Sequence, residues 1–259
     1  DQRVGLTGPA MYALMARKYL HETENDEEDL AKIAVKSHRN ALTNPQAQFH
    51  KEIELTDVLE SDYVAPPLKL FDCAPVSDGA AVVVVAEAET AATLAPATDR
   101  VTVTGAASHS DTVGIAKHDL TALPAARQAI EAAYEDGGVR PTDIDVAEVH
   151  DAFTINEALT AEAAGFVEAG NGPEVALPPA ERSTTSTTVR TSTGGGLKAR
   201  GHPIGATGVL QVIDAYDQLT GAVSEEGQVS NAEVGLTVSQ GGTADSMTVA
   251  HVLEGTADD

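Results

Sequence analysis

The 259 residues carry 40 Asp and Glu against 16 Lys and Arg, a formal net charge of −24, and so acidic a chain repels nucleic acids and anionic membrane surfaces. With 42% hydrophobic residues it can bury a sizeable core as one large or two small domains, and no apolar run approaches the roughly 18 to 20 residues of a membrane span. One cysteine, Cys73, excludes an intrachain disulfide framework and a multi-thiolate metal site, and the eight histidines form no HxxxH or HxH pair, so no structural metal is expected.

The acids are spread along the chain instead of forming one tail, Ala, Val and Thr are abundant, and Lys is scarce. That pattern fits a globular protein in a high-salt cytoplasm, where self-repulsion is screened, or simply an acidic enzyme. Asp1 to Gly5 has nothing of a signal peptide. A reducing, cytoplasmic setting is the expectation.

In chain order, Thr7 with Pro9 starts a helix whose apolar side chains are Met11, Leu14, Met15 and Leu20. A second helix runs from about Asp26 to Leu42 and stops before Asn44-Pro45. Lys51 to Pro67 reads as loop with a short helical turn. The β-branched run AAVVVVAEA from Ala80 predicts a fully buried strand. Arg100 to Ser108 alternates into another strand, followed by an Ala-rich helix from about Leu120 to Glu135, ended by Gly137-Gly138. A strand at Val146 to Val149, a helix from about Thr154 to Ala164 stopped by Gly165, and an irregular Pro, Ser and Thr-rich loop from Gly170 to Thr193 come next. A helix from about Gly205 to Leu219 and strands at about Glu233 to Ser239 and Met247 to Leu253 complete the chain. Strand and helix alternate, so the fold class is α/β, helices covering a mixed sheet.

Two stretches carry chemistry. In GGGLKARGHPIGATG, Gly194 to Gly208, glycines crowd both sides of His202, a proline fixes the backbone after it, and a helix follows. Such a turn brings backbone close to a ligand and sets an imidazole at a helix start, where a neutral ring accepts a proton or donates to an oxyanion; a purely structural turn is the competing reading. In HDAFTINEALTAEAAGF, His150 to Phe166, His150 follows a strand as a catalytic residue does, although His150-Asp151 also reads as a helix cap.

The first stretch is similar almost residue for residue to the Gly-His-Pro signature of thiolases. The second resembles the His-Asp-Ala/Cys-Phe variant of archaeal and sterol-carrier-type thiolases, where others have Asn-Glu-Ala-Phe. RVGLTGPAMYALMARKYL, KSHRNALTNPQAQFH and PPLKLFDCAPVSDGAAVVVVA extend the resemblance over essentially the whole chain, in family order. It implies a thiolase-like layered αβαβα fold, with residues 1–97 the remainder of an incomplete N-terminal half and 98–259 a complete C-terminal half. It also implies an acyl-CoA C-acyltransferase with a coenzyme A thioester as substrate and no cofactor. His202 and His150 would be catalytic, with the backbone amide of Gln240 as a second oxyanion donor. Asn156, Gly201 and Gly241 would contact substrate, and Lys198 and Arg200 would meet the coenzyme A phosphates.

Two departures accompany it. In the family the nucleophilic Cys belongs to a segment upstream of the one that Asp1 opens, and Cys73, among apolar neighbours, reads as an inert thiol. Aligning on Gly241-Gly242 puts Val238 where relatives carry a Cys or His base, a role that valine cannot fill and for which His251 lies too far downstream. A non-catalytic acyl-CoA or lipid-binding module, or a scaffold subunit, is therefore the alternative. The implied partners are a second copy of the chain, hydroxymethylglutaryl-CoA synthase and a small OB-fold zinc protein, with no nucleic acid or membrane.

Overall fold

The structure, a computed structural model, describes residues 5–117 and 119–255; the first four residues of the stretch read for leader character, Asp1 to Val4, lie outside them. Helix α1 (Gly8–Glu22) begins where the Thr7 hydroxyl accepts the N–H of Ala10, with Pro9 in its first turn, and buries Met15, Ala16 and Tyr19. Helix α2 (Glu27–Ala41) is closed by a capping box, Asp26 accepting from Glu28 and Asp29 while Asp29 returns to the N–H of Asp26. Its first turn is acidic and its last turn basic, as the helix dipole favours. A short helix α3 (Leu55–Leu59) leads into a two-stranded antiparallel hairpin, β1 (Tyr63–Ala65) with β2 (Leu68–Lys69).

The strand expected from Ala80 is not formed. Residues 80–87 have no regular structure, Val82, Val84 and Val85 are at least 80% exposed, and helix α4 (Ala88–Leu94) follows. A strand needs a neighbour for its N–H and C=O groups and a covered face, and no described strand lies beside this run. β-Branched composition reports a fit to such a surface and does not supply one.

The remaining elements are strand β3 (Val101–Ser110), helix α5 (Pro124–Gly137), strand β4 (Val146–Glu148), helix α6 (Thr154–Ala163), strand β5 (Arg190–Thr191), helix α7 (Gly196–Ala199), helix α8 (Thr207–Leu219), strand β6 (Val234–Gly241) and strand β7 (Met247–Gly255). Helix α5 starts at Pro124, later than its apolar pattern, because Leu123 is held at φ 40° and the proline ring presets the first helical turn; it ends at Gly138 in the left-handed region. The five strands form one mixed sheet in the order β3-β7-β6-β4-β5, in which β4 runs parallel to both neighbours and β7 antiparallel to both of its own. Helix α5 packs on β3 and β7, and α8 on β6 and β4. At Gly105 of β3 any Cβ would lie 2.2 Å from the carbonyl of Ala133, so only glycine lets α5 approach so closely. One main core joins Met15, Tyr19 and Ile33 to Ile130, Val149, Ile155, Leu236 and Val252, so the two N-terminal helices share the sheet's core.

The turn between β6 and β7 is anchored to α1. Tyr12, stacked on Phe153 with ring centroids 4.3 Å apart, donates its hydroxyl to Asp245 Oδ1 at 2.6 Å. Burial pushes the Asp245 carboxyl up to about 7, against the lowering effect of that bond. A folded-state value above the unfolded one means that this group's stabilising contribution is full at low pH and fades as pH rises through about 7. Asp245→Asn keeps the acceptor without the charge. Thermal melts are expected to show the variant ahead of the parent at about pH 8 and level with it at about pH 4; an equal difference at both would contradict this.

Candidate active site

The parallel strands β4, β5 and β6 direct their carboxyl ends to one side, where α/β sheets place ligands. His150 leaves β4 there, and His202 arrives on the loop between α7 and α8. Their rings meet edge to face, centroids 5.2 Å apart and planes at 87°. Parallel pairing thus joins two histidines that lie far apart in sequence.

A strap from Cys73 to Ser77 ties the two loops. The N–H of Ala74 donates to Ala152 O at 2.8 Å, and single bridges link Cys73 to Phe153 and Val76 to His202. The Ser77 hydroxyl accepts the N–H of His202 at 3.0 Å and donates to Gln48 Oε1 at 2.6 Å. Gly201, at φ 124°, lies against this strap, where a Cβ would sit 3.0 Å from Ser77 Oγ. With Val76, Ser77, Gly79 and Pro203 it lines a cavity of about 480 Å³ beside the His202 loop.

The protonation of His202 follows from its neighbour. Thr207 Oγ1 lies 2.7 Å from Nδ1 and gives its single proton to Pro203 O at 3.0 Å, so it must accept from Nδ1–H. Nε2 is then left with a lone pair, the state of a proton acceptor. Burial and, next, the Arg200 charge lower the His202 pKa; burial and His202 push His150 down to about 3. Both rings are therefore neutral near neutral pH. Thr207→Val, which keeps the shape and removes the acceptor, is expected to lower any His202-dependent turnover about 100-fold and to shift its pH profile. Thr207→Ser restores both; an unchanged profile in the valine variant would count against this tautomer.

Asn156 stands behind His150. Its Nδ2 donates to His150 O and to Gln240 Oε1, the latter at 3.1 Å, and Thr160 Oγ1 reaches the same Gln240 oxygen at 3.1 Å. The Gln240 side chain thus joins α6 to the end of β6. Asn156 Oδ1, His150 Nδ1 and Gln240 Nε2 are buried and have no hydrogen-bond partner among the described residues. Gly241, half-buried, ends β6 next to Gly242, whose φ of 82° turns the chain.

The two flanking cations lie inside the fold. Lys198 is 2% exposed, its ammonium 5.8 Å from the Phe71 ring centroid, and burial brings its pKa down to about 8. Arg200 is 6% exposed, with Nε 3.0 Å from Asp214 Oδ2. The single turn of α7 directs both inward among buried carboxylates, and Arg200 also lines the cavity beside the His202 loop. Val238 is fully buried in the core, its carbonyl accepting from Gln211 Nε2 at 2.9 Å. His251 faces Thr237 in the register, its Nδ1 3.2 Å from Thr237 Oγ1, three pairs along from Gln240 and Thr248. The Cys73 thiol is half-buried and pushed up to about 12, chiefly by burial, which keeps it out of the reactive thiolate form.

Sequence patterns do not single out Thr207, Ser77, Thr160 or Asp151 as parts of this site. Thr207 lies inside the His202 motif five residues on, and Asp151 and Thr160 lie inside the His150 stretch, so these three have a local signal; Ser77 is placed by tertiary contacts.

A family model described as "Thiolase C-terminal domain-like" matches residues 106–254. An acetyl-CoA acetyltransferase from Methanothermobacter thermautotrophicus is 40% identical over 251 residues, covering 96% of this chain. Sterol carrier protein 2 from Oryctolagus cuniculus is 33% identical over 234 residues, covering 88% of this chain. The chain spans 64% of the length of the first relative and the match 42% of the second. Among solved structures, one titled "Ltp2-ChsH2(DUF35) aldolase" superposes with a TM-score of 0.84 at 24% identity, covering 99% of this chain and 66% of that one. That likeness identifies the fold.

Proposed function

The chain belongs to the thiolase family, and from that membership we propose that it is part of an acyl-CoA C-acyltransferase of the acetyl-CoA acetyltransferase kind, making or breaking the carbon–carbon bond beside a thioester. The observation that carries the reading is the edge-to-face His150–His202 pair at the carboxyl ends of parallel strands, with Nε2 of His202 left as a proton acceptor.

In this reading a cysteine thiol supplied from outside these residues gives its proton to His202 Nε2, and the thiolate attacks an acyl-CoA carbonyl. Coenzyme A leaves as its thiolate, the acyl group stays on the cysteine and the proton stays on His202 Nε2. His202 and His150 then polarise the thioester oxygen of the second acyl-CoA, with the backbone amide of Gln240 as a donor to the enzyme-bound thioester. Asn156 acts through His150, whose loop it holds. The reading needs no cofactor beyond the coenzyme A thioester substrate.

A second reading, a non-catalytic acyl-CoA-binding or scaffold subunit, is favoured by one observation: Val238, which the family resemblance aligns with the base position, is fully buried, and a valine moves no proton. An acyl-CoA thiolysis assay on the protein as its gene encodes it, with short and long acyl chains, separates the two. Coenzyme A-dependent cleavage supports the enzyme; tight acyl-CoA binding with no cleavage supports the subunit.

The same membership underlies the proposed partners, a second copy of the chain and, from archaeal thiolases, hydroxymethylglutaryl-CoA synthase and an OB-fold zinc protein. The exposed Val82, Val84 and Val85 are consistent with a face that another segment or chain covers. The acid excess suits a high-salt cytoplasm, and no described helix is long and apolar enough to cross a membrane. Size-exclusion chromatography in molar salt tests the association, which a monomer there contradicts.

A further inference from the structure

A second cavity, of about 560 Å³, lies between the outer face of α2, strand β5 and the loop joining α8 to β6. Its charge runs against the rest of the molecule. The whole chain has 40 acids to 16 Lys and Arg, yet this cleft is lined by four cations, Lys36, Arg39, Arg182 and Arg190, and two acids, Asp145 and Glu226.

Two of the cations are spent on the fold. Lys36 pairs with the fully buried Glu157 and donates to Thr191 Oγ1 at 2.7 Å. Arg182 satisfies the carbonyls of Val175, Leu177, Thr187 and Val189 at 2.9 to 3.1 Å. Arg39 and Arg190 are not: both are exposed, and among the described residues neither guanidinium has a hydrogen bond or an ion pair. Of the acids, Asp145 Oδ2 is already taken by the N–H groups of Glu233 and Val234 at 2.8 and 3.0 Å. Glu226 is exposed and joins neither arginine. In a chain with so many carboxylates, two unpaired guanidinium groups facing one cleft are an anion site by their chemistry, since each offers a planar fork of donors.

The walls narrow the class of anion. Ser230 and Thr188 add hydroxyls, and Val175, Leu177 and Val229 form an apolar side. The volume exceeds that of a bare inorganic ion and falls in the range of small-molecule sites. We propose that this cleft binds a phosphomonoester of nucleotide size, its phosphate held between Arg39 and Arg190 and its apolar ring against the Val175–Leu177 wall. The site is separate from the histidine pair and independent of the acyl-transfer reading.

Isothermal titration of the protein as its gene encodes it, with inorganic phosphate, adenosine 5′-monophosphate and adenosine, tests this. The expected result is one saturable site for the nucleotide, weaker binding of phosphate and none of adenosine. In Arg39→Gln/Arg190→Gln the nucleotide affinity is expected to fall about tenfold or more, since bonds to charged groups are involved. Both side chains are exposed, so the variant should melt as the parent does, and Arg39→Lys/Arg190→Lys should retain part of the binding. No saturable binding of phosphate or nucleotide by the parent, or equal affinity in the glutamine variant, would overturn the proposal.

Discussion

His202→Ala is expected to reduce acyl transfer by the whole protein about 1,000-fold or more, the largest effect of any single change on activity. The residue is asked to do two things in the proposed cycle: take the proton of the nucleophile and then return a hydrogen bond to a developing oxyanion. The arrangement around it serves both. Thr207 takes Nδ1–H, Nε2 is left bare, and burial keeps the ring neutral and ready to accept. Its N–H is bound to Ser77, so removing the ring leaves the loop's own anchor in place. The loss should therefore fall on kcat with an unchanged melting temperature. Turnover within a few-fold of the parent would remove His202 from the mechanism.

Asp151→Ala is expected to cost about 3 to 5 kcal/mol of stability, the range for breaking a buried charge network. The Asp151 side chain is fully buried and accepts the N–H groups of Leu197 at 2.8 Å and Lys198 at 3.3 Å, in the first turn of α7. It packs so closely on Gly196 that a Cβ there would come within 2.2 Å of Oδ2. Losing the carboxylate orphans two buried donors and removes the charge that acts most strongly to hold the buried Lys198 ammonium protonated. Because α7 carries the chain directly into Gly201 and His202, the damage reaches the active site. A fall in melting temperature of about 10 °C is the expected reading, with Asp151→Asn milder because it keeps an acceptor. A melt within about 1 °C of the parent would show that the cap and the charge contribute nothing.

These two residues also mark what the sequence discloses. Local signals translate directly: Thr7 and Asp26 cap α1 and α2, and Gly138 and Gly165 end their helices in the left-handed region, because each depends on backbone groups within a few residues. His150 and His202 are legible through motif resemblance, yet their spacing alone does not pair them; the parallel ladders of β4 do that. Lys198 and Arg200 read as contacts for the coenzyme A phosphates because the sequence does not say which way so short a helix and its end face. The Val82–Val85 run has every intrinsic mark of a strand and lacks only the neighbour that makes one. Tyr12 and Asp245, 233 positions apart, meet by tertiary packing that no local pattern encodes.

Whether the His150–His202 centre serves acyl transfer from coenzyme A is read by incubating the gene-encoded protein with acetyl-CoA and measuring its intact mass. An acetyl adduct is expected to form in the parent, to be released by added free coenzyme A, and to be absent from His202→Ala. A parent protein that binds acetyl-CoA yet never gains the acetyl group would contradict it.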